Sequence, residues 1–128
     1  MRTPVIVGNW KMNMTPSEAK SLLEELVELD LDESVEKGVC VPAIDLLLAS
    51  DILKDSDIKF GAQNMYFEES GAFTGEISPK MLNDIKADYV ILGHSERREY
   101  FNEDDELINK KVLSALDHDI VPILCVGE

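Results

Sequence analysis

Short runs of β-branched and apolar residues alternate along the chain with longer stretches whose apolar positions recur every three or four residues. The runs are Pro4–Asn9 (PVIVGN), Gly38–Pro42 (GVCVP), Ile58–Asn64 (IKFGAQN), Tyr89–Gly93 (YVILG) and Ile120–Val126 (IVPILCV). Most are continuously apolar. A strand covered on both faces needs that pattern, and it points to a parallel sheet.

The stretches between the runs read as helices. Thr15-Pro16-Ser17-Glu18 is a capping box with Pro at the first helical position. Ala19, Leu22, Leu23, Leu26 and Leu29 follow it as one apolar stripe. A second helix is predicted over Ile44–Lys54, burying Leu47, Leu48 and Ile52. A third starts at Ser78-Pro79 with Leu82 and Ile85 inward, and a fourth follows Asn102. Glu103, Asp104, Asp105 and Glu106 crowd the first turn of the fourth, where negative charge suits the helix dipole. Its stripe is Ile108, Val112, Ala115 and Leu116.

The predicted order is β-α-β-α-β-α-β-α-β, with right-handed crossovers and a parallel sheet. Two architectures suit it: a complete five-stranded doubly wound domain, or the opening portion of an eight-stranded barrel. Length alone favours the first, since 128 residues fit one domain and a full barrel takes roughly 200 or more. No repeats, low-complexity tracts or linkers interrupt the pattern.

Charge narrows the partners. The formal net charge is -14 and the sequence pI about 4.4. A nucleic-acid or anionic-membrane partner needs a basic face, so both are disfavoured. The same field opposes an anionic substrate at long range, so a phosphate site must rest on local positive potential. The chain opens Met1-Arg2 and enters a short apolar strand, too short for a signal peptide, and no run reaches membrane-spanning length. Cys40 and Cys125 stand apart within apolar runs, without a CxxC or a His/Cys cluster. They are expected to be small buried residues of a cytoplasmic protein, and no ligand set for a metal is visible.

Active sites of α/β proteins gather at the carboxyl ends of the strands. The first strand exits into Asn9-Trp10-Lys11-Met12-Asn13, the third into Gln63-Asn64-Met65-Tyr66 and the fourth into Gly93-His94-Ser95-Glu96-Arg97-Arg98. A lysine is usually a solvated charge, but Lys11 at the mouth of a buried strand suits an anion or charge developing in a reaction. A lone His such as His94 is often a hydrogen-bonded core residue. Here a helix is expected to start just beyond it, with Ser95 as a possible cap. The positive end of that helix favours the neutral imidazole, which can donate to a carbonyl oxygen during proton abstraction from the adjacent carbon. Glu96 is an acid/base by type, or simply an ion-pair partner of Lys11 or a nearby Arg. Arg97 and Arg98 suit phosphate, or structural pairs with Glu103 or Asp104. His118, at the far end of the fourth helix, is expected to face solvent with at most a helix-dipole contact.

Together these strand ends resemble the triosephosphate isomerase family. Five segments carry the resemblance: GNWKMN at Gly8–Asn13, GAQN at Gly61–Asn64, GAFTGEIS at Gly71–Ser78, YVILGHSERR at Tyr89–Arg98 and PILCVGE at Pro122–Glu128. The resemblance implies an α/β fold, the parallel (β/α)8 barrel. Residues 1–128 would be its N-terminal half: a single incomplete domain of four βα units plus a fifth strand. It implies interconversion of dihydroxyacetone phosphate and glyceraldehyde 3-phosphate through an enediolate in glycolysis and gluconeogenesis. The family uses no cofactor or metal and works as a cytoplasmic homodimer. By motif, Asn9 and Lys11 resemble substrate-binding residues, with Lys11 also near the enediolate, and His94 resembles the electrophile that polarises the carbonyl. Ser95 and Glu96 resemble supporting residues. The Met65–Ile77 loop resembles the one that reaches into the partner subunit, with Thr74 near the partner's active site.

The family's catalytic base is a Glu after the sixth strand, followed by a lid loop, and its phosphate is held largely by loops after strands seven and eight. The sequence stops before all of these. Loss of a general base alone forfeits about 10²–10⁴ in rate, so negligible activity is expected of these 128 residues by themselves. Open edges at the first and fifth strands also predict that they fold well only with a complementing C-terminal half. Two rival readings differ in class. A phosphorylatable receiver-like domain needs an acidic pair after strand one and an Asp after strand three, where this chain has Asn-Trp-Lys and Gln-Asn. A non-catalytic half-barrel interaction module, or a truncated fragment, is compatible with the sequence. A nucleotide-binding enzyme is disfavoured, because no GxGxxG or phosphate-loop motif follows strand one.

Overall fold

The computed structural model describes residues 2–127. Met1 and Glu128, the last residue of the PILCVGE segment, lie outside them. The strands are β1 (Val5–Asn9), β2 (Glu36–Val41), β3 (Ile58–Ala62), β4 (Tyr89–Leu92) and β5 (Val121–Leu124). All neighbouring pairs are parallel, in the order β1-β2-β3-β4-β5. That order decides between the two architectures. A doubly wound sheet reverses direction at a switch point, whereas the wall of a (β/α)8 barrel adds each strand beside the last.

Five α-helices connect the strands: α1 (Pro16–Val27), α2 (Leu46–Leu53), α3 (Pro79–Asp84), α4 (Ser95–Tyr100) and α5 (Asp105–Asp117). A 3-10 turn, Ala43–Asp45, leads into α2. The predicted capping box at Thr15 is formed, with reciprocal bonds between Thr15 and Glu18. Ser78 caps α3 by accepting from the Met81 amide. The helices contribute Leu23, Leu46, Ala49, Leu53, Leu82 and Ala115 to one cluster with Val39, Val41, Phe60, Ala62, Val90 and Leu92. These strand residues alternate with Cys40, Tyr89 and Ile91, which form a smaller cluster on the opposite face with Val7, Ile123 and Cys125. The two faces of the sheet therefore bury different residue sets. Both cysteines are free thiols, Cys40 buried and Cys125 half-buried.

Several sequence expectations are corrected. In α2 the buried stripe is Leu46, Ala49 and Leu53, while Leu47 is 71% exposed and Leu48 and Ile52 are half-buried. The 3-10 turn at Ala43–Asp45 changes the phase of the helix relative to a single helix begun at Ile44, so a different set of positions turns inward. Leu29 and Leu116 are exposed, since α1 ends before the first and the second lies off the core side of α5. Strands β3, β4 and β5 are shorter than the apolar runs that contain them. Between β4 and β5 the helix start expected just beyond His94 is a separate short helix, α4, ahead of the helix expected after Asn102, α5.

Helices α3 and α5 end in the same way. Lys86 and Asp119 take left-handed backbone (φ 62 and 58), and the next residues, Ala87 and Ile120, donate back to Leu82 and Ala115. These are Schellman ends, and their apolar last residues fold the chain back onto the core before β4 and β5. β3 and β4 meet closely. A Cβ on Gly61 would lie 2.4 Å from the Tyr89 carbonyl oxygen, so only glycine fits there.

One buried cation ties the carboxyl end of the sheet to its helices. Lys111, in α5, is 1% exposed. Its Nζ donates to Glu103 Oε2 at 2.7 Å and to Asn64 Oδ1 at 2.9 Å, so α5, the segment before it and the exit of β3 share one ammonium. Arg97 Nε of α4 donates to the same Glu103 oxygen at 2.8 Å, while Oε1 is buried without a partner. Burial pushes the Glu103 carboxyl up, but the bonds from Lys111 and Arg97 outweigh it and hold it below the usual carboxylate range.

Gly61→Ala is expected to destabilise the protein by about 1–3 kcal/mol or more through overpacking against β4, read as a lowered urea midpoint. Glu103→Gln leaves the Lys111 charge buried without its counter-charge, an expected loss of about 3–5 kcal/mol at neutral pH. Because Glu103 has a depressed pKa in the fold, its contribution is present above the unfolded value, about 4.3, and is lost as pH falls through the folded one. The gap between wild type and variant should therefore narrow on acidification. A constant gap down to pH ~3 would contradict a charged Glu103.

Candidate active site

The carboxyl ends of β1, β3 and β4 open into a cleft of about 400 Å³, lined among others by Asn9, Lys11, Gln63, Asn64, His94 and Glu96. The residues singled out at three separate strand exits in the sequence are thus brought to one place.

Lys11 follows β1 in left-handed backbone (φ 56), an uncommon state for a side-chain-bearing residue. Three hydrogen bonds hold the turn there. The Lys11 amide donates to Asn9 Oδ1 at 3.0 Å, Gln63 Nε2 donates to the Lys11 carbonyl at 2.9 Å, and Asn13 Nδ2 donates to the Trp10 carbonyl at 2.8 Å. Gln63 Nε2 also reaches the Cys40 carbonyl at 3.2 Å, so this one amide ties the Lys11 turn to the end of β2. The local role of Asn9 is accordingly to shape the Lys11 turn. Lys11 Nζ lies 3.5 Å from Glu96 Oε1, the ion pair offered as its bland alternative. Both side chains stay about half exposed, so that pairing is weak and open to competition.

His94 leaves β4 after Gly93, which has φ 75. Ser95 was the expected cap of the next helix, but the imidazole itself caps it: His94 Nδ1 accepts the Glu96 amide at 3.1 Å. Ser95 is the first helical residue and is exposed. The cap has a chemical consequence. With the Nδ1 lone pair engaged by an N–H, a neutral imidazole carries its hydrogen on Nε2, free to act as a donor. Glu96 Oε1 pairs with Lys11 and lies 3.3 Å from Nδ1, where a neutral imidazole offers it no hydrogen, so Glu96 adjoins His94 but its ion pair is with Lys11.

The arginines divide as their structural alternative had it. Arg97 pairs with Glu103 and lies 4.5 Å over the Phe101 ring. Arg98 bonds Asp105 at 2.7 Å, the Gly93 carbonyl at 2.9 Å and the Cys125 carbonyl at 3.3 Å, bracing the backbone just before His94. The partners are Glu103 and Asp105, while Asp104 instead caps α5. Thr74 is not brought into this cleft. It is exposed on a turn closed by the Glu76 amide and Phe73 carbonyl at 3.0 Å, with Gly75 at φ 93. His118 does not face solvent freely: its side chain is 19% exposed and bonds both Ser114 and Glu69.

Sequence reasoning missed Lys111 and the role of Gln63. Lys111 sits between Ile108 and Ala115 on the inward stripe of α5, a position where a lysine signals a buried partner. Gln63 carried no such signal, because its bonds are to backbone from another strand. Burial, with the nearby Cys125 adding, pushes the Cys40 thiol up to about 12, which makes it chemically inert. Among the described residues no group of three or more His, Cys, Asp or Glu is placed to hold a metal ion, and no helix is long and apolar enough to cross a membrane.

The sequence model of the triosephosphate isomerase family matches residues 4–128. Similar proteins include triosephosphate isomerases of Caldanaerobacter subterraneus subsp. tengcongensis (58% identical), Finegoldia magna (57%) and Clostridium botulinum (56%). Each match covers all 128 residues of this chain and 51–52% of the relative. The chain therefore spans about half the length of the curated relatives it matches. With a β1-to-β5 parallel wall and full coverage by these relatives, the chain belongs to the triosephosphate isomerase family.

Proposed function

We propose that this chain supplies the electrophile and the cationic group of a site that interconverts dihydroxyacetone phosphate and D-glyceraldehyde 3-phosphate, a step of glycolysis and gluconeogenesis. The observation that carries the proposal is the joint placement of Lys11 and His94 in one cleft, with Lys11 paired to the Glu96 carboxylate and His94 capping the Glu96 amide. His94 Nε2–H donates to the substrate oxygens as the carbonyl becomes an enediolate. A carboxylate base takes the proton from one carbon and returns it to the next, so the reaction balances without an external oxidant. The Lys11 ammonium offsets the developing negative charge, and Asn9 holds the backbone turn that presents it. Glu96 supports both groups, and Ser95 begins the helix that His94 caps. The step as written needs no cofactor or metal.

Neither Glu96 nor Glu103 suits the base: Glu96, in the cleft wall, is paired with Lys11, and Glu103, outside the cleft, is buried under Arg97 and Lys111. We assign the base, the lid and most phosphate contacts to the C-terminal half of the barrel, with residues 1–128 as one incomplete domain that is inactive alone. A homodimer completes the reading, with the Thr74 turn directed to the partner's site. The two free thiols fit a cytoplasmic setting.

The first test is turnover of glyceraldehyde 3-phosphate by residues 1–128, alone and with a C-terminal half supplied. Activity only with the complement is expected. Activity from residues 1–128 alone would overturn the assignment of the base, and silence in both cases would favour a binding module or inert fragment. In the complemented enzyme, His94→Gln is expected to lower kcat by about 10²–10⁴ with a smaller change in KM. Lys11→Met should cost about 10²–10³, and an unchanged kcat/KM in either variant would remove that residue from the mechanism.

A further inference from the structure

The C-terminal end of α5 meets the loop after β3 at His118. Nδ1 lies 2.7 Å from the Ser114 carbonyl oxygen, and Nε2 lies 2.9 Å from Glu69 Oε1. Both partners only accept hydrogen bonds. A neutral imidazole has one N–H, so it can serve one of them and must turn a lone pair toward the other. The imidazolium has two and serves both. Its position agrees with a cation, because His118 is the C-cap of a 13-residue helix, where the dipole's negative end lies. The bonds to the Ser114 carbonyl and then to Glu69 raise its pKa against the opposing effect of burial. The charged groups acting on it are carboxylates, Glu69 from the loop and Asp117 from its own helix.

We propose that His118 is a pH-sensitive latch: as the imidazolium it fastens the loop between β3 and α3 to the end of α5, and deprotonation, which leaves one N–H for two acceptors and removes the ion pair with Glu69, loosens that fastening. The loop lies along α5 through a series of contacts. Asn64 bonds Lys111, the Phe67 carbonyl accepts from Ser114 Oγ at 3.0 Å, and Lys110 Nζ lies 5.4 Å from the Phe67 ring centroid. Glu69 is the last of these anchors, and beyond it the loop turns at Gly71 into the exposed Phe73–Gly75 segment. The latch therefore governs how firmly the outer part of the loop is held, and it does not depend on the catalytic reading. A group with a raised folded pKa contributes fully below its unfolded value, about 6.5, and its contribution is lost as pH rises through the folded value.

The chain contains two histidines, so both imidazoles can be followed by NMR titration of the purified protein. His118 is expected to titrate above the ordinary histidine range, and Glu69→Gln, a change at an exposed residue, to bring it back toward that range. Hydrogen exchange of the amides from Phe67 to Gly71, corrected for intrinsic base catalysis, should lose protection across the same pH interval. The loss should be up to about tenfold for each unit by which the pKa is raised. Glu69→Gln and His118→Asn should each show weak protection with no such step. Titration of His118 at or below about 6.5 in the wild type would overturn the proposal, as would loop protection that is flat across the titration or a step that survives in Glu69→Gln.

Discussion

The Lys111 ammonium is almost wholly removed from water, and much of the upper end of the sheet is arranged to tolerate it. A buried charge of this kind is stable only when paired and hydrogen-bonded. Glu103 supplies the opposite charge and Asn64 a second acceptor. Because Asn64 directly follows Gln63, the same strand exit that answers the lysine also steadies the Lys11 turn. Because Glu103 also takes Arg97, the helix capped by His94 is tied to the same point. Two residues of the candidate site are thereby set in position from behind, through Lys111 and Glu103, which do not line the cleft. Hydrophobic packing alone does not fix orientation in this way, since it is non-directional.

Charge in this molecule is local. The chain is strongly acidic, yet its cleft presents Lys11 with only a partly exposed partner. An anion approaching over the surface meets repulsion and finds attraction only within a few ångströms of the mouth. Glu96 then has two roles that pull in different directions. It orients Lys11 and lies beside His94, and it also cancels part of the field that would draw a phosphate in.

Much of the fold was legible because it rests on local pattern. The continuous apolar runs gave the strands, and the Thr15 and Ser78 caps gave two helix starts to the residue. Parallel pairing followed from the same runs, but strand order did not, because neighbours in a sheet leave no periodic trace. Helix ends were obscured where Lys86, Asn102 and Asp119 occupy left-handed positions more often taken by glycine. In α2 a run of three leucines allowed more than one inward face, and a 3-10 turn selected it. In the site, Lys11 and His94 were readable from strand-exit position. The His94 cap was not, because serine is the commoner cap and stood next to it. Gln63, Lys111 and the His118–Glu69 pair depend on contacts between residues far apart in sequence.

The turn-rich loop after β3 is tied at its base by the Tyr66 amide and Ile77 carbonyl at 2.8 Å, and the Tyr66 ring packs against those of Phe67 and Phe73, with centroids 4.4 and 4.6 Å away. A closed base separates the length of a loop from the geometry of the sheet that carries it. Extra residues inserted near Gly71–Gly75 would raise closure entropy by only about 0.6 kcal/mol for each doubling of length, while β3 and α3 kept their places. The closed base thus shields the sheet from changes at the tip but not the cleft, because Gly75, Glu76 and Ile77 of the loop's returning arm also form part of the cleft wall.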